Sequence, residues 1–513
     1  MSYVIFFGFL FVALVLSQLR WLRVAQREHY LPGSAAKFAM RWWFSSPANI
    51  VIFILTLGFV VATIAFSAAS LGVALLVAVA PFGLSLRGRT SKLVWTRRLR
   101  LLSITTALVW VIPVAILLVV TTVDIGVRLA TVLLVLSPVF VDFAMLVTTP
   151  IERRLAQKFV NEARRRLQRV QPIVVGITGS FGKTTTKQYV SHLLSMHHVT
   201  LASPRSFNNQ AGLARAVNEL LVPGTEVFIA EMGTYGPGEI RGLCRWIPPQ
   251  IAVITAIGPV HLERFRDISV TLSAKAEIVE TANDVVLNGD DDLLRRLISP
   301  LREQGKRVVA VSAIDDLADL CLRAEGDEIV LYRHGRQIAR QNLVASMRPP
   351  ALTNVACAIG VAMFIGDDPV ECFHEIRKFE RPPNRLSETT GSTGVTIIDD
   401  TFNSNPAGAD LAIERLGLLG SNMVRRVLVT PGMIELGRSQ RQANRRMMRQ
   451  ASAVCTDIVI VGRTNRRALR AGATGRVHLV LAAHRDEAVA WVKSNLTEDD
   501  IVLYENDLPD HYA

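Results

Sequence analysis

Cysteine is scarce in this chain. The five present in 513 residues (Cys244, Cys321, Cys357, Cys372 and Cys455) never fall at C-x-x-C spacing. A zinc ribbon and a disulfide framework are therefore excluded, and a reducing compartment fits. Acidic side chains are nearly missing before Pro150. The apolar run from Tyr3 to Leu19 lacks a small-residue cleavage site, so it is expected to stay attached and not to leave as a signal peptide. No repeat is evident in the apolar part, which argues against a transporter built from duplicated halves. A formal charge of +13 suggests nucleic acid. Much of the excess lies beside hydrophobic runs, where membrane lipids with anionic headgroups are the simpler partner, so no nucleic acid is expected.

What is present divides at Pro150. Half of all residues are apolar, and they concentrate before that proline, leaving a soluble remainder in a chain long enough for about three domains. Tyr3–Leu19, two segments within Asn49–Leu86 joined near Ser67–Ser70, Leu101–Thr121 and Val127–Val147 predict about five spans. Basic residues cluster at Arg20–Arg41, at Arg87–Arg100 and from Arg153 onward, which places these segments and everything after them in the cytoplasm. Asp142, inside the last span, is either functional or a carboxylate reaching interfacial water or an arginine. From Ile151 to Val170, apolar residues recur every four positions (Ile151, Leu155, Phe159, Ala163, Leu167) among arginines and lysines. Such a helix lies on a membrane surface or packs on the soluble part.

The soluble part is organised around Ile173–Lys187, IVVGITGSFGKTTTK. A β-branched run, a glycine-rich turn and a breaker-free segment read as strand, loop and helix, a layout whose backbone N–H groups and helix N-terminus cradle phosphate. The strict P-loop spacing is not met, since its first glycine falls at Ile177; the pattern is the shorter T-G-x-x-G-K-T-T. ATP is the expected nucleotide, with Lys183 on its outer phosphates and Thr184 on Mg2+. Ser206–Gly212 is a polar turn with adjacent amides at Asn208 and Asn209. A second strand delivers Glu231, and a third leads through a Gly-Pro turn to His261, both placed where ligands sit beyond strand ends. A further helix puts Lys275 and Glu277 near the same edge. From about Lys306 to Leu343 short strands with an Arg-His-Gly turn read as a small insertion. Arg381–Arg385 resembles a hinge, after which strands ending at Asp399-Asp400, Thr430 and Val461 alternate with helices as a second parallel sheet.

The ordered set TGSFGKTT, NNQAG, EMG, GPVHLERF, AKAEI and DDTFNSNP resembles the central and C-terminal domains of the Mur ligase family, and within it the branch that adds D-alanyl-D-alanine. The resemblance implies ATP-dependent amide formation through an acyl phosphate in cell-wall precursor synthesis. It implies a nucleotide site of Gly179, Ser180, Gly182, Lys183, Thr184 and Thr185, with Asn354 at adenine, Asp400 at ribose, and Arg385, Asn403 and Asn405 from the C-terminal domain. It implies Mg2+ on Thr184, Glu231 and His261, a carbamylated Lys275, and substrate contacts at Asn208 and Asn209. The expected architecture is a helical membrane domain (1–150), a basic linker helix (151–171), a P-loop ATPase domain (172–381) and a Rossmann-like C-terminal domain (382–513).

This sequence departs from the family where five expected spans replace its UDP-binding domain, where Pro350-Ala351 stands for His-Asn, and in its Tyr504–Tyr512 ending. The acceptor is thus a muramoyl peptide or a lipid-linked counterpart, taking a dipeptide or an amino acid. Two alternatives are elongation of a polymer such as poly-γ-glutamate, and a transporter or scaffold with an accessory ATPase.

Overall fold

The computed structural model describes the chain except residues 1, 2, 29, 45, 82, 83, 85, 87–92, 205, 206, 260–264, 266, 343–350, 380–385, 402, 403, 421, 422, 476 and 509–513. The expected roles of His261, Arg385 and Asn403, and the hinge at 381–385, lie outside the described residues. Two compact units form, one mainly Met1–Ala156 and the other Gln157–Asp507.

The first unit is helical: α1 (Tyr3–Arg27), α2 (Ser34–Trp43), α3 (Pro47–Ala62), α4 (Ala69–Val79), α5 (Arg97–Val120), α6 (Val123–Val135) and α7 (Ser137–Val170). Two helices, Phe6–Arg27 within α1 and α5, are long and apolar enough to cross a membrane, and the number rises to four if the bent pairs α2–α3 and α6–α7 each count as one span. Among the described residues the expected five spans are thus matched only in part. The 11-residue α4 is well short of the roughly 20 residues a span requires. The segment expected at Val127–Val147 breaks at Leu136, where the helices meet at 74°; Pro138 can neither donate to the preceding turn nor fit beside its carbonyl. Pro150 sits inside α7 without ending it, so the expected linker helix is continuous with the preceding apolar helix.

Two of the buried ionic side chains in this unit close helix ends. Among the described residues, Asp142 accepts the Ala35 N–H (3.0 Å) and the Ala36 N–H (2.8 Å) at the start of α2. Arg20 closes the other kind of helix end, donating to the Ala78 (2.6 Å) and Ala80 (3.1 Å) carbonyls at the end of α4. Both satisfy backbone groups that a helix terminus leaves without partners.

In the second unit, the C-terminal part of α7 buries Val160, Ala163 and Leu167 against Leu213, Val217 and Leu221, and Arg166 donates to the Asn218 (2.8 Å) and Leu221 (2.6 Å) carbonyls. Of the two possibilities for this segment, packing on the soluble part holds from Val160 onward, whereas Ile151, Leu155 and Phe159 stay exposed.

A nine-stranded sheet follows, ordered β2-β3-β1-β4-β5-β6-β7-β8-β9, from β1 (Ile173–Thr178), β2 (Thr200–Ala202), β3 (Val227–Glu231), β4 (Ile251–Ile254), β5 (Asp284–Asn288), β6 (Arg307–Ser312), β7 (Leu320–Glu325), β8 (Glu328–Arg333) and β9 (Arg336–Asn342). The pairs from β2 to β7 are parallel and the last two antiparallel. The expected insertion is thus a continuation of the same sheet, its β8–β9 turn carried by left-handed His334 (φ 48°) and Gly335 (φ 76°), the geometry a tight hairpin requires. Alternating strand residues feed two cores. Val175 and Ile177 pack with α8 (Lys183–Leu194) and the helix Ala351–Ile365. Val174 packs on the opposite face with α7, α9 (Gln210–Leu220) and α10 (Glu239–Cys244).

A six-stranded sheet, ordered β10-β11-β15-β12-β13-β14, completes the unit: β10 (Ser387–Thr390), β11 (Thr396–Asp400), β12 (Arg426–Thr430), β13 (Asp457–Val461), β14 (His478–Ala482) and β15 (Ile501–Glu505). All pairs are parallel except β10–β11, so the second parallel sheet carries an antiparallel edge strand.

Candidate active site

β1 lies inside its sheet, third from the β2 edge, because the chain leaves it outward to β2, returns to β3 and crosses to β4 on the other side. The carboxyl ends of β3, β1 and β4 therefore flank a topological switch point, where open α/β sheets bind ligands. The loop Gly179–Gly182 occupies this edge. Two of its glycines are required by geometry: a Cβ on Gly179 (φ 151°) falls 2.0 Å from Thr255 Oγ1, and one on Gly182 (φ 84°) falls 2.6 Å from Asn354 Oδ1. The irregular segment that follows β4, residues 255–258, holds the loop. The Thr255 hydroxyl donates to the Phe181 carbonyl (2.5 Å), Ser180 N–H donates to the Ala256 carbonyl (2.7 Å), and Gly258 N–H donates to Ser180 Oγ (2.9 Å).

Cations and oxygen donors converge on this loop. Lys183 Nζ donates to the Gly179 (2.7 Å) and Ser180 (3.2 Å) carbonyls, and Lys275 Nζ reaches the same Gly179 carbonyl at 3.0 Å. Burial, reinforced by the charge of Lys183, pushes the Lys275 ammonium well below the ordinary lysine range. Thr184, in the first turn of α8, donates its hydroxyl to Glu231 Oε2 at 3.0 Å. Thr185 follows in the same turn, half-buried. Asn354, at the start of its helix, accepts the Thr186 hydroxyl at 3.2 Å, which brings the expected adenine contact to the phosphate loop.

Glu231 is 2% exposed and is held from several sides. Lys187 Nζ lies 3.0 Å from Oε2, Asn208 Nδ2 donates to Oε1 (3.3 Å), and Ser203 Oγ accepts the Glu231 N–H (3.1 Å). Lys187 is the residue that sequence reasoning passed over; its signal is the spacing of four from Lys183, which puts both on one helical face. Of the paired amides, Asn208 orients Glu231, whereas Asn209 caps α9 by accepting the Gly212 N–H (2.9 Å). Glu277 does not join the cluster: its buried carboxylate accepts the Gly238 (2.6 Å) and Arg241 (2.9 Å) N–H groups and closes the start of α10.

Asp400 and Asn405 lie at the carboxyl end of β11 in the six-stranded sheet. The Asp400 carbonyl accepts the Asn506 N–H (3.1 Å), and Asn405 Oδ1 caps the helix Pro406–Leu419 through the Gly408 N–H (3.0 Å).

Residues 177–362 match the Mur ligase middle domain, and residues 384–504 match the Mur ligase glutamate ligase domain. The chain belongs to the Mur ligase family. The UDP-N-acetylmuramoyl-tripeptide–D-alanyl-D-alanine ligases of Mycobacterium tuberculosis and Mycobacterium bovis are 29% identical to this Mur ligase over 364 residues, which cover 64% of it and 69% of each relative. MurF from Thermotoga maritima in complex with ADP has the same fold, with a TM-score of 0.59 at 22% identity over 69% of this chain and 80% of that one. MurF from Acinetobacter baumannii gives 0.58 at 22% identity over 68% and 77%. The two matched domains account for the two sheets; the helices before residue 157 lie outside both matches.

Proposed function

We propose that this Mur ligase is an ATP-dependent amide ligase of peptidoglycan precursor synthesis that adds D-alanyl-D-alanine to a muramoyl tripeptide. The observation that carries the reading is the convergence of Lys183 and Lys275 on the Gly179 carbonyl, beside the Thr184–Glu231 hydrogen bond. Phosphoryl transfer is mostly positioning and charge neutralisation, and these residues supply both. The acceptor carboxylate attacks the γ-phosphorus of ATP, and ADP leaves. The incoming amine then attacks the acyl phosphate, forming the amide and releasing phosphate and a proton.

Lys183 offsets charge on the transferring phosphoryl group. Thr184 and Glu231 are hard oxygen donors in mutual contact and fit Mg2+ bound on a nucleotide phosphate; the ion supplies further charge neutralisation there. Among the described residues no group of three His, Cys, Asp or Glu side chains converges, which is consistent with an ion that takes much of its coordination from phosphate and water. Lys275, whose ammonium form burial disfavours, can give up its proton and combine with carbon dioxide, losing a second proton to become a carbamate. That change replaces a cation beside Lys183 with an anion. Asn354 contacts adenine and Asp400 the ribose in this reading.

The helical unit is proposed to insert in the cell membrane, with the catalytic half on the cytoplasmic side. Val111, Ile112, Ile116, Val119 and Val120 of α5 are exposed, an apolar surface that water disfavours and lipid accepts. Resistance of the full chain to extraction from membranes by alkaline carbonate checks this, and release into the supernatant contradicts it.

The function is tested with detergent-purified protein, ATP, Mg2+ and D-alanyl-D-alanine, offering UDP-muramoyl-tripeptide. A pentapeptide product that depends on ATP is expected. ATP turnover without that product, and product instead from a polymeric acceptor with a single amino acid, overturns the assignment.

A further inference from the structure

Glu505, the last residue of β15, is completely buried. It stands in register beside Asp400 of β11, and on its other side β15 pairs with β12, which ends at Thr430. Its partners among the described residues are two hydroxyl groups, one in the loop after β11 and one at the end of β12. Ser404, in the loop after β11, is hydrogen-bonded to Oε1, and Thr430, where the loop after β12 begins, is hydrogen-bonded to Oε2 at 2.7 Å. Neither partner is a cation, so burial pushes the Glu505 carboxyl up from the usual carboxylate range.

The contact continues into both loops. Thr430 Oγ1 accepts the Gly432 N–H (2.9 Å), so its own proton points to Glu505. Next to Glu505, Asn506 adopts a left-handed conformation (φ 64°), which a residue other than glycine rarely takes. From there its N–H donates to the Asp400 carbonyl (3.1 Å) and its side chain to the Gly432 carbonyl (2.7 Å). The loop 431–433 is gripped further by Asn444, which exchanges hydrogen bonds with the Met433 backbone (2.8 and 2.9 Å), and by Asn465, which donates to the Pro431 and Met433 carbonyls (3.0 Å each). A loop so fully bonded at the carboxyl edge of a parallel sheet is preorganised where ligands bind.

We propose that Glu505 is a positioning residue of the ligase: it ties Ser404, on the chain that follows Asp400, to Thr430 and the loop after β12, so that Ser404 and residues 430–433 hold one geometry at the ligand side of the six-stranded sheet. The proposal rests on the ligase reading for the consequence of that geometry, and on the hydrogen bonds alone for the coupling. Glu505 acts through its neighbours and does not itself meet substrate.

The test compares the full-length wild type with Glu505→Gln and Glu505→Ala in detergent, by steady-state kinetics and by amide hydrogen exchange. Glu505→Ala leaves two buried hydroxyls without their partner and is expected to raise KM for ATP about tenfold, with exchange accelerated in both loops together. The amide of Glu505→Gln offers one donor and one acceptor to the same hydroxyls and is expected to restore KM and protection to within about threefold of wild type. Unchanged KM and unchanged exchange in Glu505→Ala overturn the proposal, as does loosening confined to one loop. If Glu505→Ala does not fold, Ser404→Ala and Thr430→Val each cut one arm. Each is expected to loosen both loops, and loosening of its own loop alone overturns the coupling. Failure of the wild type to ligate any acceptor refutes the proposed function instead, and the exchange comparison still decides for or against Glu505.

Discussion

In the helical unit, Arg20 and Asp142 are buried and each closes the end of a helix; beside the nine-stranded sheet, Lys187, Glu231 and Lys275 are buried around the Gly179–Gly182 loop. The two sets are alike in burial and in the cost of removing them from water. They differ in what satisfies them. Arg20 and Asp142 end on backbone C=O and N–H groups that would otherwise lack partners, so they serve helix ends. The ionic groups beside the sheet bring two ammonium groups to one carbonyl and a lysine and a hydroxyl to one carboxylate oxygen, an arrangement suited to an added anion and cation. Burial of a charge is thus weak evidence for function; convergence at the carboxyl end of strands is the stronger sign.

Substitutions sharpen this contrast. Lys183→Ala is expected to reduce kcat for ligation by about 10³-fold, since it removes the cation that the proposed mechanism places on the transferring phosphoryl group, while the melting temperature stays near wild type. Glu231→Gln is expected to lower stability by about 3 kcal/mol in thermal melts, because it strands the buried Lys187 ammonium. Adding Lys187→Met to that variant should recover most of the stability and none of the ligation. Asp142→Asn should cost about 1 kcal/mol through the weakened start of α2, with KM for ATP unchanged. A large loss of ATP turnover in Asp142→Asn with normal stability would break the comparison.

The smallest effect is a slope. The Lys275 ammonium is disfavoured in the fold, so between its lowered folded value and the ordinary lysine value the unfolded chain binds more protons, and stability rises with pH. The penalty is full below the folded value and vanishes as pH rises through about 10.4, the ordinary lysine value. Lys275→Met should therefore be more stable than wild type at neutral pH, with the advantage shrinking toward alkaline pH. Melting curves across that range check the sign.

The phosphate loop was legible because its signals are local: a β-branched run, glycines at Gly179 and Gly182, and a helix after Lys183 all lie within Ile173–Leu194. Glu231 was legible for the same reason, as the polar end of an apolar strand. What the sequence hid depends on distant partners. Asp142 meets α2 across 107 positions, and Ser404 meets Glu505 across 101, and no periodicity reports such pairs. The span count is matched only in part because hydropathy measures the length of an apolar run, whereas helix ends here follow Pro47 and Pro138. The linker segment read both ways because its apolar stripe is continuous; only the docking of Val160, Ala163 and Leu167 beside α9 distinguishes its second half from its first.

The central claim, that the converging lysines and the Thr184–Glu231 pair build an acyl phosphate, is met most directly by an oxygen-tracing experiment. With the acceptor carboxylate labelled with ¹⁸O, complete ligation should leave one labelled oxygen in the released phosphate, because the attacking oxygen departs with phosphorus when the amine displaces it. The label should disappear with turnover in Lys183→Ala and persist in Asp142→Asn. Phosphate released without label while amide product accumulates would contradict the account.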